Sequence, residues 1–149
     1  MDARPLALVV QRYGKEIVGG SEALCRSVAE MLGSYRPVEV LTTCARDYMT
    51  WRNEYPAGDS LLNGVRVRRF TVDFERDQRF HDLLRTLLGG LPLTAYNQHK
   101  TLLRAGIGRS SHTQQMDFLR LQGPYSTPLW DFLGAHQADY AQILSLIHI

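Results

Sequence analysis

The run Leu6-Ala7-Leu8-Val9-Val10 is apolar without interruption. A strand wetted on one face alternates, so an unbroken run points to a central parallel strand covered on both sides. From Ser21 the period changes to a helical one. Leu24, Val28, Met31 and Leu32 recur on one face, with Arg26, Ser27 and Glu30 elsewhere. Ser21 is the expected N-cap, Glu22 complements the positive end of the helix dipole, and Gly33 is expected to close the helix in a left-handed conformation. After the breaker Pro37, Val38–Thr43 reads as a second strand, which completes a βαβ unit. Asn63-Gly64 signals a tight turn, and Val65–Phe70 alternates as a third strand nearer the sheet edge. Asp47–Leu62, with Pro56 and Gly58, reads as a connection over the surface.

Farther on, Phe80, Leu83, Leu84, Leu87 and Leu88 mark an amphipathic helix that stops at Gly89-Gly90. A second helix is expected over Leu93–Ala105, so that residues 75–115 form a helical insertion. Gly106–Thr113 reads as a mobile loop and Gly123-Pro124 as a turn. Thr127-Pro128 supplies an N-cap and a proline at the first helical position, opening a helix through Ala138 that carries Trp130 and Phe132 into the core. The fold class is therefore α/β: a Rossmann-like, doubly wound parallel sheet with helices on both faces, in one domain over residues 1–140. Apolar content alone makes Ala141–Ile149 a candidate buried strand. The ending Leu144–Ile149 nevertheless breaks off in mid-pattern and resembles translated adapter sequence, so residues 141–149 are expected to be a truncated end with a non-native tail.

Composition narrows the function. With 149 residues, 44% apolar and 21% charged, the chain has ordinary globular usage. The net charge of +2 argues against a nucleic-acid partner, which calls for a concentrated basic stripe. Arg66, Arg68 and Arg69, joined by Arg76, Arg79 and Arg85, form the nearest approach to one. They read as a solvated face, with a phosphate-bearing ligand or an anionic membrane surface as the alternative. Cys25 and Cys44 make neither a disulfide framework nor a metal motif and read as buried thiols in a reducing cytoplasm. The N-terminal apolar run is too short for a signal core or a membrane span.

The chemistry-bearing segment is Gln11–Glu22, at the carboxyl edge of the first strand, where open α/β sheets bind ligands. Gly19-Gly20 lets backbone N–H groups approach a ligand, and the first helical turn offers unpaired donors to phosphate or sugar oxygens. Taken alone, the glycine pair reads equally as a flexible turn. A dinucleotide fingerprint loses most of its support, because eight residues, Gln11–Val18, precede Gly19 and the third glycine is missing. A P-loop loses most of its support because Gly14-Lys15-Glu16 lacks the hydroxyl that holds magnesium. Tyr48, Trp51 and Tyr55 fit either packing beneath a loop or stacking on a sugar. His81, His99, His112 and His136 read as ordinary surface or helix residues, and His148 falls in the expected non-native tail.

Val9–Gly14 and Val18–Ala23, followed by a helix ending Ala29-Glu30-Met31-Leu32-Gly33, resemble the N-terminal domain of family 4 retaining glycosyltransferases. Val38–Thr43, Asn63–Phe70 and Leu121–Ser126 follow in the same order, so the resemblance covers roughly residues 6–140. It implies a GT-B arrangement in which this half holds the acceptor and a C-terminal half, not contained in this chain, holds a nucleotide-diphosphate sugar as co-substrate. It implies no metal and no resident cofactor. Gly19, Gly20, Ser21 and Glu22 carry over as substrate-facing positions, and Gln122, Gly123, Pro124 and Tyr125 as a second cleft-side loop. No catalytic residue carries over, because the family's donor-side glutamates belong to the other half. The chain is thus not expected to transfer sugar alone.

The partners implied are that C-terminal donor domain and a sugar or lipid-linked acceptor. The implied location is the cytoplasm; the Leu83–Leu88 stripe is expected to pack on the sheet, with peripheral contact at the inner face of the membrane as the alternative. Two other functions stay open at this point. One is a non-catalytic ligand- or partner-binding module, and the other is half of a nucleotide-dependent oxidoreductase.

Overall fold

The computed structural model describes residues 2–87 and 108–146. The chain is α/β. Its five-stranded sheet runs β3-β4-β2-β1-β5, with β1 at Leu6–Val9, β2 at Val38–Thr43, β3 at Gly58–Leu62, β4 at Val65–Phe70 and β5 at Gln142–Ser145. The sheet is mixed, not parallel throughout. β1, β2, β4 and β5 are parallel, while β3 pairs antiparallel with β4 from Gly58↔Arg69 to Leu62↔Val65. The segment expected to be wholly a surface connection therefore ends in an edge strand. Asn63 at φ 50° and Gly64 at φ 80° make the two-residue turn between β3 and β4, both residues being left-handed as the right-handed twist of a hairpin requires.

Every residue of β1 and β2 is buried, as the unbroken apolar run of β1 leads one to expect. One sheet face packs Leu8, Val10, Val40 and Val67 against helix α1, Gly20–Gly33; the other packs Ala7, Val9 and Leu41 against helix α4, Thr127–His136. α1 meets the sheet through Cys25, Val28, Ala29 and Leu32, which follow the i, i+3, i+4, i+7 spacing. Leu24 and Met31, expected on that face, are exposed. Small Cys25 and Ala29 let the helix approach closely and turn their larger neighbours outward.

Several helix ends differ from expectation. Gly19, extended at ψ 151°, is the N-cap of α1, so Ser21 lies inside the first turn; the C-cap is Ser34 in the right-handed region, and Gly33 supplies no left-handed turn. Ser126, not Thr127, caps α4 by accepting from the Leu129 N–H. That helix stops at His136 before a 3-10 turn, Gln137–Asp139. Trp130, expected in the core, is 66% exposed, whereas Phe132 packs on the sheet.

Helix α2, Gln78–Leu87, packs on helix α3, His112–Gln122, through Phe80, Leu84, Leu87 and Phe118. The leucine stripe thus covers another helix instead of the sheet. The loop expected over Gly106–Thr113 ends early: Ser111 and Gln114 form a reciprocal capping box and the helix begins at His112. Leu88, Gly89-Gly90, the helix expected over Leu93–Ala105, His99 and His148 lie outside the described residues. β5 forms in register with β1 and is half-buried.

Candidate functional site

The carboxyl ends of β1 and β2 lead into two loops that form an open cleft of ≈ 580 Å³. One is the β1–α1 loop, which contributes Arg12, Glu16, Ile17, Val18 and Gly19. The other follows β2 and contributes Arg46, Asp47, Tyr48 and Glu54. The second loop is closed at its base by an antiparallel bridge between Ala45 and Asn53 and by the N–H groups of Glu54 and Tyr55, which both donate to the Cys44 carbonyl. Backbone geometry therefore returns Glu54 to the side of the cleft where Asp47 leaves.

Glu22 braces the cleft from behind Gly19. Its carboxylate folds back over Gly19 so closely that a Cβ there would lie 2.6 Å from Glu22 Cδ. It accepts from Arg12 Nε at 2.9 Å, from an Arg12 terminal nitrogen at 2.6 Å and from the Ser21 hydroxyl at 2.9 Å. Burial resists ionisation of Glu22 most strongly, but bonds from Arg12, its own backbone N–H and Ser21 together outweigh it and hold the carboxyl below its ordinary pKa. Arg12 also donates to the Arg46 carbonyl at 3.1 Å and lies over the rings of Tyr48 and Trp51, at 5.4 and 5.9 Å from their centres. The end of α1, read from sequence as donors awaiting a ligand, is thus already met by an internal carboxylate.

Trp51 sits at φ 53°, a left-handed conformation costing a bulky residue on the order of 1–2 kcal/mol. It is buried, its N–H donates to the Asp47 carbonyl at 2.9 Å, and its indole Nε1 donates to the Gln122 carbonyl at 2.9 Å. Arg76 donates to the same carbonyl and lies over the Trp51 and Phe80 rings. These contacts bring the 122–125 segment to the carboxyl edge of the sheet. Gln122 is the last residue of α3; Gly123 approaches Gln11, whose Nε2 would lie 3.7 Å from a Cβ built at 123; and Tyr125 stacks on Phe74, ring centres 5.8 Å apart. Of the sequence-derived positions, Gly19 lines the cleft, Glu22 and Ser21 brace it from behind, and Gly20 faces open space. Gln122, Gly123, Pro124 and Tyr125 are not among the lining residues; Gln122 and Gly123 instead meet Trp51 and Gln11, which do not line it either.

Gly14 and Tyr55 hold the two loops together. The Tyr55 hydroxyl reaches over Gly14, where a Cβ would lie 3.0 Å from its Cζ, and donates to Glu16 at 2.7 Å. Behind it, the Tyr55 ring covers Arg69, which is buried and donates to the Tyr13 carbonyl and the Ser60 hydroxyl at 2.8 Å each. Burial lowers the pKa of Arg69. The basic concentration seen in the sequence is therefore largely neutralised or internal. Arg66 and Arg68 pair with Asp59 and Glu39, Arg79 with Asp77 and Arg85 with Asp82.

Burial pushes the Cys25 thiol up to about 12 and raises that of Cys44, which leaves both as packing groups, not nucleophiles. Among the described residues no cluster of three or more His, Cys, Asp or Glu side chains is arranged to hold a metal ion, and no helix is long and apolar enough to cross a membrane. Arg12, Arg46, Asp47 and Glu54 were not singled out by sequence. Only the aromatic density around Tyr48 and Trp51 signals that segment. No protein-family model, curated protein or solved structure matches the chain.

Proposed function

We propose that this chain is the acceptor-side, Rossmann-like half of a GT-B glycosyltransferase, which with a C-terminal donor domain moves a sugar from a nucleoside diphosphate to an acceptor. The observation that carries the reading is the open cleft on the carboxyl edge of the sheet, with Gly19 in its wall. The parallel strands run β4-β2-β1-β5, so the connections reverse direction between β1 and β5. Ligands of open α/β sheets bind outside the carboxyl ends of the strands, and the cleft lies there, over β1 and β2, on the β2 side of β1 and not at the β1/β5 reversal itself. Two loops line it and it is open to solvent, as suits a site completed by a second domain.

Titration of the isotopically labelled chain with a nucleoside diphosphate, a nicotinamide dinucleotide and simple saccharides, followed by amide shifts, tests this. Saccharides are expected to move the amides of Gly19, Tyr48 and Glu54, and both nucleotides to leave them in place. A nucleotide that occupies the cleft would refute the acceptor-side assignment, with nicotinamide pointing to an oxidoreductase.

A further inference from the structure

Charges around the cleft pair off unevenly. Arg12 is engaged by Glu22 at 2.6 Å, and Arg46 stands 3.9 Å from Glu16. Asp47 and Glu54, in the same lining, have no ion-pair partner among the described residues. Asp47 accepts from the Met49 N–H at 2.9 Å and the Thr50 hydroxyl at 3.4 Å, which fixes its carboxylate without cancelling the charge. Glu54 is exposed and anchored through its backbone. Between them in sequence stands Tyr48, 55% exposed, with the Arg12 guanidinium over its ring.

A phosphate entering this cleft meets the two carboxylates without ion-pair partners, while Arg12 is held by Glu22 at 2.6 Å and Arg46, more exposed, faces Glu16 at 3.9 Å. A pyranose offers an apolar C–H face to an aromatic ring, and its hydroxyl or ammonium groups donate to carboxylates. Opposite charge at close range separates an ammonium from a hydroxyl. We propose that the cleft is a subsite for an amino sugar, whose apolar face stacks on Tyr48 and whose ammonium is taken by Asp47 and Glu54. This rests on the acceptor-side reading above and sharpens it to a charge class.

The test titrates the labelled chain at mildly acidic pH with glucosamine, methyl glucoside and glucosamine 6-phosphate, at low and high salt. Glucosamine is expected to bind roughly tenfold more tightly than methyl glucoside at low salt, with the gap closing at high salt. Asp47→Asn with Glu54→Gln should bring glucosamine to the methyl glucoside level, and Tyr48→Ala should weaken both. These positions lie at the cleft surface, and the dispersion of the amide spectrum verifies that each variant folds. Equal binding of the two sugars, an advantage that survives the double substitution, equal or tighter binding of the phosphorylated sugar, or no saccharide response overturns the amino-sugar assignment. Occupation of the cleft by a nucleoside diphosphate is a different result, and it removes the acceptor-side reading itself.

Discussion

The two glycines of the β1–α1 loop look interchangeable in sequence, yet the structure gives them opposite sensitivities to a methyl group. At Gly19 the backbone is extended, at φ −112° and ψ 151°, a conformation that alanine adopts freely. The obstacle is space. A Cβ would lie 2.6 Å from Glu22 Cδ and 3.0 Å from its Oε1, so the carboxylate has to leave. That carboxylate is the end of a flexible side chain but is held by Arg12 and Ser21. The Arg12 and Glu22 side chains are only 11% and 8% exposed. Removing one partner of a buried pair costs about 3–5 kcal/mol. Gly19→Ala only displaces Glu22 toward solvent, and Arg12 keeps the Arg46 carbonyl, so we expect about 2 kcal/mol.

At Gly20 a Cβ meets nothing within 4 Å and the residue is helical. Gly20→Ala should stabilise by about 0.4–1 kcal/mol, chiefly by restricting the unfolded chain. For a domain of this size each kcal/mol moves Tm by roughly 2–4 °C. Gly19→Ala should therefore melt roughly 4–8 °C lower and Gly20→Ala slightly higher, as read by circular dichroism. Repeating Gly19→Ala in a Glu22→Ala background should recover most of its cost, because the clash is gone. A Gly19→Ala variant as stable as Gly20→Ala, or an additive double substitution, would refute the steric argument.

Three further outcomes follow from other contacts. Because the folded pKa of Glu22 is depressed below its ordinary 4.5, the stability from its bonds to Arg12 is complete above about pH 4.5 and is lost as pH falls through the lowered value; Glu22→Gln should flatten the urea-midpoint profile there. Asp59, lowered to about 2 by hydrogen bonds from Arg68 and Arg66, adds a loss at still lower pH, but its 43% exposed side chain is screened and contributes at most about 1 kcal/mol. Gly14→Ala should push the Tyr55 hydroxyl away from Glu16 and cost about 1–3 kcal/mol by overpacking, while Tyr55→Phe in that background should return part of it; equal midpoints for Gly14→Ala and wild type would contradict the contact. Gly64→Ala places a side chain at φ 80° and should lower stability by about 1–2 kcal/mol, measured by chemical denaturation, with no change in the cleft amides.

What was legible depended on whether a residue's role is local. β1, β2 and β4 were readable because apolar continuity or alternation fixes burial within a few residues. β3 was not: Gly58, Asp59 and Ser60 are poor strand formers, and Leu61 is 76% exposed. Its pairing is held by the β4 backbone and by Asp59, which accepts from Arg66 and Arg68 at 2.6 and 2.7 Å. The Asn63-Gly64 turn held the missing signal, since a two-residue hairpin turn requires a strand before it as well as after. α1 was located correctly but its buried face was not, because apolar size outranked the smallness that brings Cys25 and Ala29 against the sheet. The cleft was half legible. Gly19 announced itself, whereas Arg46, Asp47 and Glu54 face it only because the Ala45–Asn53 bridge folds their loop back, a long-range pairing with no local pattern.

The Arg12–Glu22 pair changes what the glycine turn can do. A helix N-terminus attracts anions through unpaired N–H groups and a partial positive charge. Here Glu22, three residues past the Gly19 N-cap, already brings an anion there, and Arg12 returns a positive charge to that anion. An external phosphate would have to displace a nearly buried carboxylate and leave Arg12 with a new partner. Gly19 then matters for the room it leaves to Glu22, and the facing loop supplies the other side chains that line the cleft. Those side chains are a tyrosine, two carboxylates and Arg46, which stands 3.9 Å from Glu16. The helix N-terminus that reads in sequence as an open anion site is therefore, once its own carboxylate is placed, already occupied from within the chain.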